Sequence, residues 1–241
     1  MAMARGGVNI CGVSIGVLSL HSLFPKPPGH IKNPSGLRFT TTYEVLEDLT
    51  VPRLLNDPSP EMIAPLLAAA RRLEARGVRA ITGSCGFLAL FQQEIAAAVS
   101  VPVFVSALIQ LPMIHRMTQR PVGVITASAH LLSERHLAGV GAAEVPLVIE
   151  GMQDSTEFSE VILRNLRNDM DLAQIEADLV VAGQRLLDRA PEIGAIVLEC
   201  TDLPPYAHSL QQALGRPIFD LTTLAGMVHD AVLRRPYAGF T

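Results

Sequence analysis

Three cysteines occur in the chain, and two of them, Cys85 and Cys200, stand 115 residues apart in matching surroundings. Cys85 lies in Gly83-Ser84-Cys85-Gly86 and Cys200 in Glu199-Cys200-Thr201-Asp202. Each follows an apolar run that reads as a strand (78–82 and 195–198) and precedes a stretch that reads as a helix. A thiol there sits at the carboxyl end of a parallel strand and the amino end of a helix, the position where open α/β sheets bind ligands. Free backbone N–H groups at that turn can hold a carboxylate, and the helix dipole favours the thiolate. The competing reading is that a free cysteine is a small buried hydrophobe. Recurrence at matching turns weighs against that for Cys85 and Cys200. Cys11 has no such counterpart, lies in an apolar stretch, and is expected in the core.

Two thiols facing one substrate carbon suit a particular task. One thiolate removes a proton from a carbon beside a carbonyl, and the other thiol delivers a proton to the opposite face. The carbon inverts, and no cofactor is needed for it. No glycine-rich phosphate loop is present. The seven histidines show no pairing at metal-ligand spacing, and His130 and His136, six apart, do not share a helix face, so no metal site is expected.

The elements that must hold these thiols form an internal repeat. With residues 80–109 set against 195–224, seven positions are identical: Ala80/Ala195, Ile81/Ile196, Cys85/Cys200, Leu88/Leu203, Ala98/Ala213, Pro102/Pro217 and Phe104/Phe219. Upstream, Ile15-Gly16-Val17-Leu18-Ser19 resembles Val122-Gly123-Val124-Ile125-Thr126. Helices are expected over 61–76, ended by Gly77, over 87–99, and over 172–189, before Pro191. Strands alternating with helices in this way give an α/β fold of two pseudosymmetric lobes, each a parallel sheet flanked by helices; if the lobes face each other, the two thiols share the interlobe cleft. The first lobe is assigned residues 1–116 plus 217–241 and the second 117–216. The stretch 24–42, rich in Pro, Gly and polar residues, is too long for a tight turn and is either a flap over the site or a solvated loop. Its Lys26, Lys32 and Arg38 could draw in an anion. Ser128 is expected to cap a helix starting near Ala129.

Composition narrows the partners. The net charge is -4, aromatic residues are 5% and Trp is absent, which disfavours nucleic acid. No apolar run approaches a membrane span, so no membrane partner is expected. The apolar stretch 8–20 follows Arg5 but lacks a small-residue cleavage site, and reads as a buried first strand rather than a signal peptide. Three cysteines are no disulfide framework, and a reducing cytoplasm fits them. Assembly into a homo-oligomer is compatible with the sequence.

On Ile15–Ser19, Gly83–Gly86, Val122–Thr126 and Cys200-Thr201-Asp202 with Pro204-Pro205-Tyr206, the chain resembles the aspartate/glutamate racemase superfamily, which includes hydantoin racemases, arylmalonate decarboxylases and maleate isomerases. The resemblance covers most of the chain. It implies an interlobe site with Cys85 and Cys200 catalytic, and Ser19, Ser84, Gly86, Phe87, Thr126, Thr201 and Asp202 around the substrate. Thr126 would hydrogen-bond a substrate carboxylate. Asp202 would assist Cys200, or else cap a helix. Many members carry Cys-Asn-Thr where Cys85-Gly86-Phe87 stands, and Ser19-Leu20-His21-Ser22 replaces the Asp-Ser-Gly of glutamate racemases. These departures point away from aspartate and glutamate and towards an apolar or cyclic substrate such as a hydantoin, within the expected class of small anionic or cyclic carbonyl compounds. The expected activity is cofactor-independent racemisation or epimerisation beside a carboxylate or carbonyl. The alternatives are a maleate-isomerase- or arylmalonate-decarboxylase-like enzyme, or a non-catalytic ligand-binding protein.

Overall fold

In the computed structural model, which describes residues 6–240, the chain forms two four-stranded parallel sheets. Arg5 and the outermost ends of the first-lobe assignment lie outside the described residues. The first half runs β1 (Ile15–His21), β2 (Thr41–Thr50), α1 (Val51–Asn56), α2 (Ile63–Ala75), β3 (Ala80–Gly83), α3 (Gln92–Ala97), β4 (Val103–Phe104) and α4 (Leu111–Thr118). The second runs β5 (Val122–Thr126), α5 (Glu134–Gly139), β6 (Leu147–Gly151), α6 (Thr156–Phe158), α7 (Leu172–Arg189), β7 (Ala195–Leu198), α8 (Ala207–Leu214), β8 (Ile218–Phe219) and α9 (Leu221–Val232). Strand orders are β2-β1-β3-β4 and β6-β5-β7-β8, so the two sheets repeat one topology.

Equivalent residues explain why the halves fold alike. The inner strands β1, β3, β5 and β7 are buried almost throughout, as parallel strands covered on both faces must be. Gly16 and Gly123 occupy the same place in β1 and β5. A Cβ on Gly16 would stand 3.1 Å from the Leu73 methyls of α2, and one on Gly123 would stand 2.7 Å from a Leu186 methyl of α7. Helix and sheet thus approach closely because the strand carries no side chain there. On the edge strands, Glu44 pairs with Arg72 of α2 and with Arg76 that caps it, and Glu150 pairs with Arg185 and Arg189 of α7.

The lobes exchange helices. α4 leaves the first sheet and packs against β5 and β7, while α9 packs against β3. Gln110 just before α4 donates to the backbone oxygen of Asp220, the cap of α9, at 3.0 Å. The strand 218–219 stays with β7 in the second sheet, so only the helix after it joins the first lobe. Both sheets share one continuous hydrophobic core.

Four local expectations are corrected. The first strand starts at Ile15 rather than near Val8, because its partner β2 begins at Thr41 opposite Ile15 and Gly12 breaks the extended chain at φ +87°. Cys11 is therefore exposed, not core. The segment after Cys85 begins as a 3-10 turn over Gly86–Phe91, and regular helix starts only at Gln92. No helix starts near Ala129, whose N–H donates to Gln153 Oε1. The helix there is α5, capped by Ser133 with His136 Nδ1 in a capping box.

Candidate active site

Both thiols lie where strand gives way to turn, and the two turns touch. Thr201 Oγ1 donates to the backbone oxygen of Ser84 at 2.6 Å, tying the Cys200 turn of one lobe to the Cys85 turn of the other. The first turn is fixed from behind. Ser84 N–H donates to Leu18 O at 3.0 Å, and Ser84 Oγ accepts from Leu20 N–H at 2.9 Å at the end of β1, beside buried Ser19. The backbone amide of Phe87 acts on the Cys85 thiol, and that of Asp202 on the Cys200 thiol, each in the direction that favours the thiolate. The amide two positions on thus favours the thiolate in each turn, and the repeat extends to this local influence.

The expected lowering of the thiol pKa values is not what the surroundings produce. Cys85 is only 9% exposed and Cys200 6%, and burial pushes both thiols up. The next cause is negative charge: Glu199 on Cys85, and Asp202 followed by Glu199 on Cys200. Lys32 acts the other way on Cys85. The helix-end amides are present, and desolvation outweighs them.

Residues 24–42 cover this site. A Cβ on Gly29 would stand 3.0 Å from Pro205 Cα, so the segment lies directly on the Pro204-Pro205 turn of the second lobe. His30, 2% exposed, reaches from it to Asp202, Nε2 to Oδ1 2.9 Å. His30 Nδ1 accepts from Lys32 N–H at 2.8 Å, so the ring carries its hydrogen on Nε2 and donates to the carboxylate. The other oxygen, Oδ2, accepts from Cys200 Sγ at 3.6 Å. Burial would raise the Asp202 carboxyl, but His30, with Lys26 and Lys32 behind it, holds it below its ordinary value. Lys32 Nζ donates to Leu20 O at 2.8 Å and Ser22 Oγ at 2.9 Å. Burial lowers its pKa, and lowers that of Lys26 to about 8. Arg38, grouped with these lysines on sequence grounds, instead pairs with Asp230 of α9 on the surface.

Other sequence candidates are placed differently from expectation. The carboxylate that Thr126 meets is that of Glu199, Oγ1 to Oε2 2.7 Å. Phe87 is buried edge-on against His136, with ring centroids 4.7 Å apart. Gly86 packs on Glu199: a Cβ there would stand 2.1 Å from Oε1. Asp202 is a partner of Cys200 rather than a helix cap. Sequence reasoning passed over His30, whose partner is 172 residues away, and named Glu199 only as a turn residue.

The sequence profile of the Asp/Glu/Hydantoin racemase family matches residues 37–226. The chain belongs to that family. Two curated relatives are both named dimethylsulfoniopropionate lyase. One, from Durusdinium sp. clade D, is 30% identical over 96% of this chain and 79% of its own length. The other, lyase 5 of Emiliania huxleyi, is 30% identical over 94% of this chain, which spans about half (47%) of that protein. Solved structures of the same fold include a sulfate-associated mutant of arylmalonate decarboxylase (TM-score 0.63, 18% identity, 91% of this chain and 92% of that one). Another is the glutamate racemase of Francisella tularensis with D-glutamate (TM-score 0.53, 16% identity, 94% and 85%). Among the described residues no helix is long and apolar enough to cross a membrane, and no cluster of three metal-ligating side chains occurs.

Proposed function

We propose that the chain is a lyase that removes a proton from the carbon beside a carboxylate and expels a sulfonium group from the next carbon, with dimethylsulfoniopropionate as the first substrate to test. Cys85 is the base and Cys200 is the second thiol of the site. The thiolate of Cys85 takes the α-proton, the C–H electron pair becomes the C=C bond, and the C–S bond breaks. The products are acrylate and neutral dimethyl sulfide, with the proton left on the enzyme.

The observation that carries this reading is the inequality of two thiols held in matched turns. Cys85 has the cation Lys32 as an opposing influence, whereas Cys200 is bonded to a carboxylate held by His30. A racemase must run its two thiols in exchanged roles, while an elimination needs one base. Glu199 and Asp202 also give the site a negative lining suited to a cationic leaving group, and the relatives' names point the same way. The substrate carboxylate is assigned to Lys32 and the turn amides.

Racemisation or epimerisation is the second reading, favoured by the placement of the thiols on symmetry-related turns. Incubation with dimethylsulfoniopropionate in deuterated water, followed by proton NMR, separates the two. The vinyl signals of acrylate are expected. Their absence, with α-deuterium appearing instead in an enantiopure amino acid or hydantoin, replaces the lyase reading by the racemase one. Turnover of neither leaves a binding protein.

A further inference from the structure

The two halves of the repeat differ at the position two residues after each sulfur. At the offset of 115, Asp202 of the second turn stands where the first turn has Phe87. Phe87 is buried against His136, so Cys85 has an apolar ring where Cys200 has a carboxylate. Both oxygens of that carboxylate are committed. Oδ1 accepts from His30 Nε2–H at 2.9 Å, and Oδ2 accepts from Cys200 Sγ at 3.6 Å. The influences that hold Asp202 ionised, His30 first and then Lys26 and Lys32, all come from the covering segment. The hydrogen of the Cys200 thiol is therefore directed at Asp202, and a hydrogen given to a carboxylate is withheld from a substrate.

We propose that Asp202, positioned by His30, locks the Cys200 thiol in its protonated form and turns its hydrogen away from the substrate, so that only Cys85 exchanges a proton with the α-carbon. This rests on the reading of Cys85 as the base and deepens it, because the lock selects elimination over inversion. Cys200 acting as a base would become a thiolate 3.6 Å from an ionised carboxylate, and Cys200 giving up its proton to a carbanion would leave the same two charges. Like charges in a buried site oppose both steps. Transfer of the thiol proton to Asp202 is closed as well. That carboxyl is held below its ordinary value, while burial and then Asp202 itself push the thiol well above its own. Glu199 adds to the negative charge facing Cys200, and Cys85 adds to it when ionised. A carbanion formed by Cys85 thus receives no proton on its opposite face. It takes the proton back from Cys85 or loses its β-substituent. Cys200 remains the acid partner of Asp202, whose second oxygen would otherwise lie buried without a donor. His30 and Asp202 are positioning residues, acting on the α-carbon through Cys200.

The test uses the intact protein in deuterated water with trimethylammoniopropionate, which carries a quaternary ammonium, a poorer leaving group, in place of the sulfonium. Cys85 takes an α-proton, its thiol exchanges with solvent, and deuterium returns to the same face. Proton NMR and mass spectrometry should show one α-deuterium with the wild type. Two α-deuteriums arriving at comparable rates overturn the proposal. Asp202→Asn should take up the second deuterium about tenfold faster than the wild type or more, and Asp202→Asn combined with Cys200→Ala should return to one. A second deuterium no faster in Asp202→Asn also overturns the proposal. Without substrate, iodoacetamide labelling against pH, with peptide mass spectrometry resolving Cys200 from Cys85 and Cys11, reads the thiol itself. In Asp202→Asn the rise in Cys200 labelling should move down by about one pH unit or more, because the neighbouring charge and the acceptor are gone. An unmoved rise overturns the proposal, and decides the matter where no protein exchanges deuterium. One-face exchange in a protein that makes no acrylate from dimethylsulfoniopropionate keeps the lock and discards the lyase, whereas acrylate with two-face exchange keeps the lyase and discards the lock.

Discussion

The two thiols are alike in backbone and unlike in company. The sequence repeat places both sulfurs over equivalent amides, but Asp202 and His30 stand beside Cys200, and Lys32 acts on Cys85. His30→Ala would leave Asp202 buried without its charge-assisted partner, a loss of about 2–4 kcal/mol. Urea unfolding at pH 7 should show that loss, together with a fall in turnover at least as large as that of Lys26→Ala. Cys85→Ala should abolish turnover. Cys200→Ala should retain measurable turnover, about a hundredth of wild type, since it removes one acid–base partner and not the base. Equal, complete loss in both would favour the symmetric racemase pairing. The cysteines were legible in the sequence because an exact spacing recurs. His30 was not, because nothing local marks a histidine whose partner comes from the other lobe. Thr126 was recognised as a hydroxyl at a strand end, but its acceptor Glu199 lies just past the end of another strand, 73 residues away.

Elements explain what was read and what was missed. The inner strands are continuous apolar runs and show themselves. The edge strands β2 and β6 are only partly buried and carry acidic residues, Glu44 and Glu150 among them, that pair with helix arginines, so they show themselves less clearly than the inner strands. The covering segment was legible as a long irregular stretch, but its closed position depends on seats that are distant in sequence, Gly29 against Pro205 and His30 on Asp202. Gly29 there has φ +100°, a conformation that alanine resists, and its Cβ would meet Pro205. Gly29→Ala should loosen the cover and speed native alkylation of Cys200 severalfold. Exposed Cys11 is the internal control and should label at an unchanged rate. Equal labelling of Cys200 in both proteins would show that this seat does not guard the site. Gly86→Ala forces a Cβ into Glu199, 2.1 Å from Oε1 and 2.3 Å from the backbone oxygen. Overpacking of this kind costs about 1–3 kcal/mol, and the thermal midpoint should fall accordingly.

At the scale of the whole molecule, the exchange of α4 and α9 joins the lobes into one folding unit. Unfolding in urea should show coincident transitions by far-ultraviolet circular dichroism and by thiol exposure, and separated transitions would mean independent lobes. Two lobes were legible from the repeat, but a helix that crosses between them leaves the same amphipathic pattern as one that does not. Stability should also carry the imprint of Glu199. Its folded pKa of about 7 lies above the ordinary 4.5, so the folded state holds the extra proton between those values. That contribution is fully present below pH 4.5 and is lost as pH rises towards 7, a change of about 3 kcal/mol. Glu199→Gln should lack this decline, as the difference in unfolding free energy between the two proteins from pH 5 to 8 will show.

The central claim is that a Cys85 thiolate deprotonates the carbon beside a carboxylate and drives out a sulfonium group. The most direct measurement is proton NMR of dimethylsulfoniopropionate with wild-type protein and with Cys85→Ala, at neutral pH under reducing conditions. The account predicts acrylate and dimethyl sulfide in equal amounts from the wild type and neither from the variant. Acrylate formed at the same rate by Cys85→Ala, or intact substrate after prolonged incubation with folded wild type, would contradict it.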